Sequence, residues 1–176
     1  MRRFAVVFAL VAEAGCGPED VDGGTTTMVI DPVGWEVVEG ADDPFAAERP
    51  TDALCVPDGV AQEDFGGLPG LEVWTGLCDW VSLRQPSTSR IPAGAEVSVR
   101  LWHFELTAPA PGEARLAVMI DGAPAWEKRI PIPSPSGLVH ESWTMPRAAA
   151  AGAPIVFHVD NHGANTYTLL EITAVW

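Results

Sequence analysis

The chain has 176 residues, 47% of them hydrophobic, and a formal net charge of -14. That apolar fraction supplies one sizeable core. The acidity excludes a nucleic-acid binder, whose partner's phosphates would be repelled, and disfavours direct docking on anionic lipid headgroups.

The charge is uneven. Residues 17–80 hold fifteen acidic side chains against Arg49 alone, whereas residues 81–176 hold eight against seven basic ones. An acidic first third suits a cation, a basic partner, or no more than solubility.

At the N-terminus, Arg2 and Arg3 precede an apolar run over 4–12, then Glu13-Ala14-Gly15-Cys16. A basic head, a short apolar stretch and a small-residue site make an export signal. The run is far shorter than the roughly 20 residues of a spanning helix. Two cleavage positions compete. Ala12-Glu13-Ala14 fits the A-x-A pattern, with a cut after Ala14. Ala14-Gly15-Cys16 resembles the end of a bacterial lipobox, with a cut before a lipid-bearing Cys16. Residues 16–27 are too polar to fold and read as a flexible tether. The expectation is a signal peptide over 1–15 and a membrane anchor at Cys16 in the bacterial envelope. A soluble secreted or periplasmic protein is the alternative.

Cys55 and Cys78, with 22 residues between them in turn-rich text, can pair in an oxidising compartment. Cys16 is then the odd cysteine, which lipidation would explain. Closing a loop of that length is worth about 3 kcal/mol. Neither has a CxxC or CxH context, so a zinc site is not expected.

Residues 28–70 are irregular and acidic, with Pro32, Pro44, Pro50, Pro57 and Pro69 forbidding a long helix or a central strand. Short extended pieces are expected at 28–30 and 35–38, and a short helix at 43–48 with Pro44 in its first turn.

Strand signals are steady from residue 71. Short apolar runs occupy 71–74 and 79–83. The alternation over 97–106 is the clearest strand. On it, Trp102 shares a face with Phe104 and Leu106 and is assigned to the core. Asp121-Gly122 joins alternating runs at 113–120 and 125–132, a strong hairpin signal. Strands are also expected at 138–145, 155–160 and 167–176, with 148–151 as a loop. About eight short strands and no sustained helical period predict an all-β chain. The expected architecture is an antiparallel β-sandwich, jelly-roll-like, in a single domain over 28–176, with 28–70 irregular and 71–176 carrying the main strands.

The strand at 97–106, the hairpin at Asp121-Gly122, and Ile155-Val156-Phe157-His158-Val159-Asp160-Asn161 with the strand from Tyr167 resemble the galactose-binding-like jelly roll and similar carbohydrate-binding modules. The full chain resembles a bacterial surface lipoprotein. Fold does not fix function.

The histidines are His103, His140, His158 and His162. His158 and His162 are four apart, which on a strand spans about 13 Å. One ion reaches both only if the chain turns back at Asp160-Asn161. His103, His158, Asp160 and His162 are therefore the candidate metal ligands, against ordinary hydrogen-bonded histidines as the commoner outcome. There is no G-x-S-x-G elbow, P-loop or dinucleotide fingerprint, so no cofactor is expected. Seven tryptophans are many for this length. Their faces stack on sugar rings, or they fill a core. Trp35 and Trp126 are the candidates for exposed ligand contacts. The Phe65-Gly66-Gly67 loop and the His162 turn are two further places for contact.

The expectation for function is a non-catalytic envelope protein that displays a binding surface to a glycan, a cation or another protein. A carbohydrate-binding module using exposed tryptophans is the alternative. A metal-dependent enzyme using His103, His158 or His162 is the second.

Overall fold

The computed structural model describes residues 24–176. The expected signal peptide, Cys16 and most of the expected tether lie outside the described residues. Two antiparallel sheets pack face to face, as the alternation predicted.

The first sheet is built from β3 (Val60–Phe65), β4 (Leu68–Trp74), β11 (Thr166–Val175), β6 (Glu96–His103) and β9 (Gly137–Thr144), in that order, with β1 (Thr26–Met28) also on β11. The second runs β2 (Glu36–Val38), β5 (Trp80–Pro86), β10 (Pro154–Asn161), β7 (Gly112–Ile120), β8 (Ala123–Ile132). The core is the aliphatic alternation of both: Val73, Val97, Val99, Leu101 and Ile172 meet Leu83, Leu116, Val118, Ile155 and Phe157. At the margin between β8 and β9, the Glu141 carboxylate accepts from Trp126 Nε1 at 2.9 Å and pairs with Lys128, tying the sheets together. Lys128 holds that carboxyl below its ordinary range.

The Asp121-Gly122 turn forms as expected, with φ of 52° and 70°. Two consecutive positive φ values give the twist that matches a two-residue hairpin. Strand β1 starts at Thr26, inside the expected tether.

Three differences from the sequence reading matter for function. First, β3 was not expected. Its residues Ala61 to Asp64 are all exposed, so this edge strand carries no alternation to read. Second, no helix spans 43–48. Two single 3-10 turns, Gly40–Asp42 and Ala46–Glu48, flank Asp43 instead. The Asp43 carboxylate turns inward and takes the Phe45 amide at 2.9 Å and the Ser82 hydroxyl at 2.6 Å. Third, Trp102 is not in the core. Val99, Leu101 and His103 face inward, and Trp102 shares the outer face with Ser98 and Arg100. The strand ends at His103, so Leu106 returns to the core by a separate bridge to Ser134.

One topological detail places the aromatic residues. Strand β4 pairs with β11 only from Leu71 to Trp74. Beyond a register shift between Leu169 and Glu171, the same side of β11 is taken by β1, with Val29 N–H donating to Ile172 C=O at 3.0 Å. The β3–β4 hairpin is thereby displaced from the ladder. A Cβ at Gly70 would stand 2.9 Å from Thr168 Cγ2, so only glycine lets β4 cross that close. The hairpin tip, closed by Gly66 and Gly67 at φ of 66° and 90°, lies with Phe65 against Trp102.

Candidate functional site

The outer face of the six-stranded sheet carries two exposed aromatics, Phe104 and Trp74, with Trp102 and Phe65 half-buried beside Phe104. Trp102 and Phe104 are two apart on one strand course and meet edge to face at 6.3 Å. Phe65 leans on the other side of Trp102, ring centroids 5.7 Å apart. Leu138 is opposite Trp102 on β9 and is 51% exposed, while Phe104 is 53% exposed. Trp74, 42% exposed, stands on the same face at the end of β4, opposite Thr166. Two interstrand steps of about 4.8 Å separate its strand from that of Phe104.

Polar groups frame this surface. One row across it reads Ala61, Glu72, Thr168, Trp102, Leu138. The next row toward β9 carries Arg100, which pairs with Glu171 at 3.0 Å, and His140. Glu63 shares the outer side of the β3–β4 hairpin with Glu72. Burial, then the neighbouring Glu63 charge, pushes the Glu72 carboxyl up. Apolar faces flanked by hydrogen-bonding groups are what a sugar ring needs, since its C–H face stacks and its hydroxyls seek partners. The indole N–H of Trp102 is buried beneath the surface and has no acceptor among the described residues, like those of Trp35 and Trp143.

The expected ligand tryptophans stand elsewhere. Trp35 and Trp126 are partly buried and pack on the central core. Trp35 leans on Phe157 at 6.3 Å. Trp126 borders a depression of about 280 Å³ with Phe45, Arg115 and Met119, outside the five-stranded sheet. The sequence cue for Trp102 was present but outweighed: it has the same parity as Ser98 and Arg100, while the β-branched and aliphatic residues take the other side.

The expected metal ligands do not converge. His103 is on the six-stranded sheet, buried, and its Nδ1–H donates to the Phe104 carbonyl at 2.8 Å. His158 is on the five-stranded sheet and is fully buried. His162 is exposed in the β10–β11 turn, near Asp160, whose carboxyl is pushed up by burial. Among the described residues no three histidine, cysteine or carboxylate side chains are placed to hold a metal ion.

His158 has a different role. Residues 42–53 form a strap across the outside of the five-stranded sheet. Phe45 stacks on the His158 ring at 4.1 Å, and Trp80 meets it edge-on at 4.6 Å. The Ser82 hydroxyl gives its one proton to Asp43, so His158 Nδ1–H donates to Ser82 Oγ at 2.9 Å. Acid, serine and histidine stand here in the wrong order for acyl transfer. A nucleophilic serine needs the histidine as its base, with the carboxylate behind the histidine. Burial pulls the His158 imidazole down to about 4. Cys55 and Cys78 are bonded, as expected, and pin the end of the strap.

At the sandwich end near Trp74, Asn161 donates to Thr75 Oγ1 at 2.6 Å and accepts from Tyr167 Oη at 2.7 Å. Asn165 Oδ1 accepts from the Thr107 amide at 2.7 Å. These bonds hold the β10–β11 turn rigidly beside the aromatic face.

No protein-family model matches the chain. No curated protein matches it either. Solved structures do. TmCBM27, a carbohydrate-binding module described in a dissection of specific mannan recognition, superposes with a TM-score of 0.50 at 8% identity, over 86% of this chain and 95% of that one. The K3 cleaved adhesin domain of Lys-gingipain from Porphyromonas gingivalis gives 0.49 at 13% identity, over 82% and 93%. TmCBM61, solved in complex with beta-1,4-galactotriose, gives 0.47 at 12% identity, over 84% and 97%. The chain thus has the β-sandwich fold that TmCBM27 has, as its strand rhythm led us to expect.

Proposed function

We propose that the chain is a non-catalytic module that binds a glycan on the outer face of its six-stranded sheet. Trp102, Phe104 and Trp74 supply the stacking surface, and Phe65 fixes the Trp102 ring. The observation that carries this reading is the exposed aromatic run itself. Phe104 and Leu138 are exposed on neighbouring strands of one sheet face around Trp102, and Trp74 is exposed on the same face two strands from Phe104. Scattered apolar residues are normal on a surface, but a contiguous group marks an interaction site. The fold shared with TmCBM27, a mannan-recognising module by its description, supports the class of ligand.

Isothermal titration against mannan, galactan, β-glucan and cellulose oligosaccharides tests it. Binding to at least one, lost in F104A, supports the proposal; no heat with any glycan overturns it.

The location belongs to the same proposal. The chain works outside the cytoplasm, tethered through an acylated Cys16. The basic head and apolar run of residues 2–12 support this, and so does the Cys55–Cys78 bond, which persists in oxidising compartments. Mass spectrometry of the mature N-terminus tests the tether: a diacylglyceryl adduct on Cys16 is expected, and a free thiol or a chain beginning at Gly15 rejects it.

A further inference from the structure

Resting on that reading, we infer that the aromatic face selects uncharged glycans and rejects polymers bearing carboxylates or sulfates, and that Glu63 and Glu72 are the residues that select.

The charges on this face are lopsided. Its outward side chains include Glu63 and Glu72 on the β3–β4 hairpin, Glu171 on β11 and Glu96 on β6. Arg100 is the only lysine or arginine on the strands of this sheet, and it is committed to Glu171 at 3.0 Å. Among the described residues Glu63 and Glu72 have no ion-pair partner. They occupy diagonal positions on adjacent strands, since Glu72 is opposite Ala61 and Glu63 opposite Gly70. Such neighbours are within reach of each other.

Glu72 shares its cross-strand row with Thr168 and Trp102. A saccharide stacked on Trp102 and Phe104 therefore lies alongside two negative charges that nothing neutralises. Burial of Glu72 removes part of the water that would screen its charge, and with the neighbouring Glu63 it raises the carboxyl from its ordinary value. A uronate or sulfate there meets like charge in a partly desolvated setting, where Coulomb repulsion exceeds its bulk-water size. A neutral sugar meets only hydrogen-bond acceptors. Specificity of this kind comes from a repulsive element as much as from attraction.

The experiment uses matched neutral and acidic polymers: mannan against polymannuronate, and hydroxyethyl- against carboxymethyl-cellulose. Affinity is measured at low salt and at 0.5 M salt, on the order of a 4 Å screening length. For whichever neutral backbone binds, the acidic counterpart is expected at least tenfold weaker at low salt, with the gap narrowing at high salt. The double variant Glu63→Gln, Glu72→Gln should raise affinity for the acidic polymer several-fold. A charge-matched control on the opposite side, Glu36→Gln with Glu39→Gln, should leave the gap in place. An acidic polymer that binds as tightly as its neutral partner overturns this inference and leaves glycan binding standing. So does a control variant that closes the gap as far as the Glu63, Glu72 variant does. If no polymer of either kind binds, the glycan reading falls and this inference with it.

Discussion

The phenyl ring of Phe45 lies on the imidazole of His158, centroids 4.1 Å apart and planes 17° from parallel. The Arg115 guanidinium sits 5.1 Å from the Phe45 centroid, and the same arginine bonds Glu48 at 2.6 Å. An irregular, proline-rich segment is thus clamped over a sheet by one aromatic plug and a few polar anchors. It leaves the opposite sheet face as the open one.

Stability should fall as the medium is acidified from pH 6.5 to about 4. The folded His158 titrates near 4, below its ordinary 6.5, because burial opposes its charge. In that window the unfolded chain binds a proton that the folded chain refuses. The contribution is complete above pH 6.5 and is lost progressively below it, to the extent of about 3 kcal/mol. Urea denaturation of wild type and H158F across this range checks the sign: the difference in stability between the two should shift toward the variant as pH drops. A constant difference refutes the assignment.

Asp43→Ala should destabilise the fold by about 3 kcal/mol. The Trp80 indole, the Ser82 hydroxyl and the Phe45 amide all lose their acceptor in a buried setting, and each unsatisfied group costs about 1 to 3 kcal/mol, partly relieved by entering water. Asp43→Asn keeps one acceptor oxygen and should cost less. The urea midpoint measures both.

Two aromatic substitutions should separate binding from folding. Phe104 is 53% exposed, so Phe104→Ala should change stability by no more than about 0.5 kcal/mol. It should weaken glycan binding at least tenfold. Trp102 is half-buried under Phe65, so Trp102→Ala should lose binding and about 2 kcal/mol of stability together. Titration and thermal melts of both variants give the comparison.

Replacing both Cys55 and Cys78 by alanine should lower stability by about 3 kcal/mol, from the entropy of the freed loop, with its separation of 23 residues. The strap should loosen first, since Leu54 and Val56 bond the chain around Cys78. Amide exchange of residues 42–56 should speed up more than that of β6 and β11.

The main strands were legible from alternation or from apolar runs. Strand β6 alternates strictly and β7 nearly so, β10 and β11 are buried on both faces and read as apolar runs, and the Asp121-Gly122 turn announces itself. Strand β3 was not legible, because an edge strand exposed along Ala61, Gln62, Glu63 and Asp64 buries nothing that sets a period. The strap was illegible for another reason: Asp43 and Phe45 acquire their places only from Ser82, Trp80 and His158, far along the chain. In the candidate site, the expected ligand residues Trp35 and Trp126 pack on the core, whereas Trp102 lies on the outer sheet face. The face of a strand is fixed by its whole aliphatic set, and Val97, Val99 and Leu101 outvote Leu106, which lies beyond the strand's end.

The most direct test of glycan binding at this face is a two-dimensional NMR titration of the tryptophan indole N–H signals with a bound neutral oligosaccharide. The account predicts that the Trp102 and Trp74 indoles and the Phe104 amide shift in proportion to occupancy, while Trp80, Trp126 and Trp35 stay in place. Shifts confined to Trp126 or Trp35, with Trp102 and Phe104 unmoved, would contradict it.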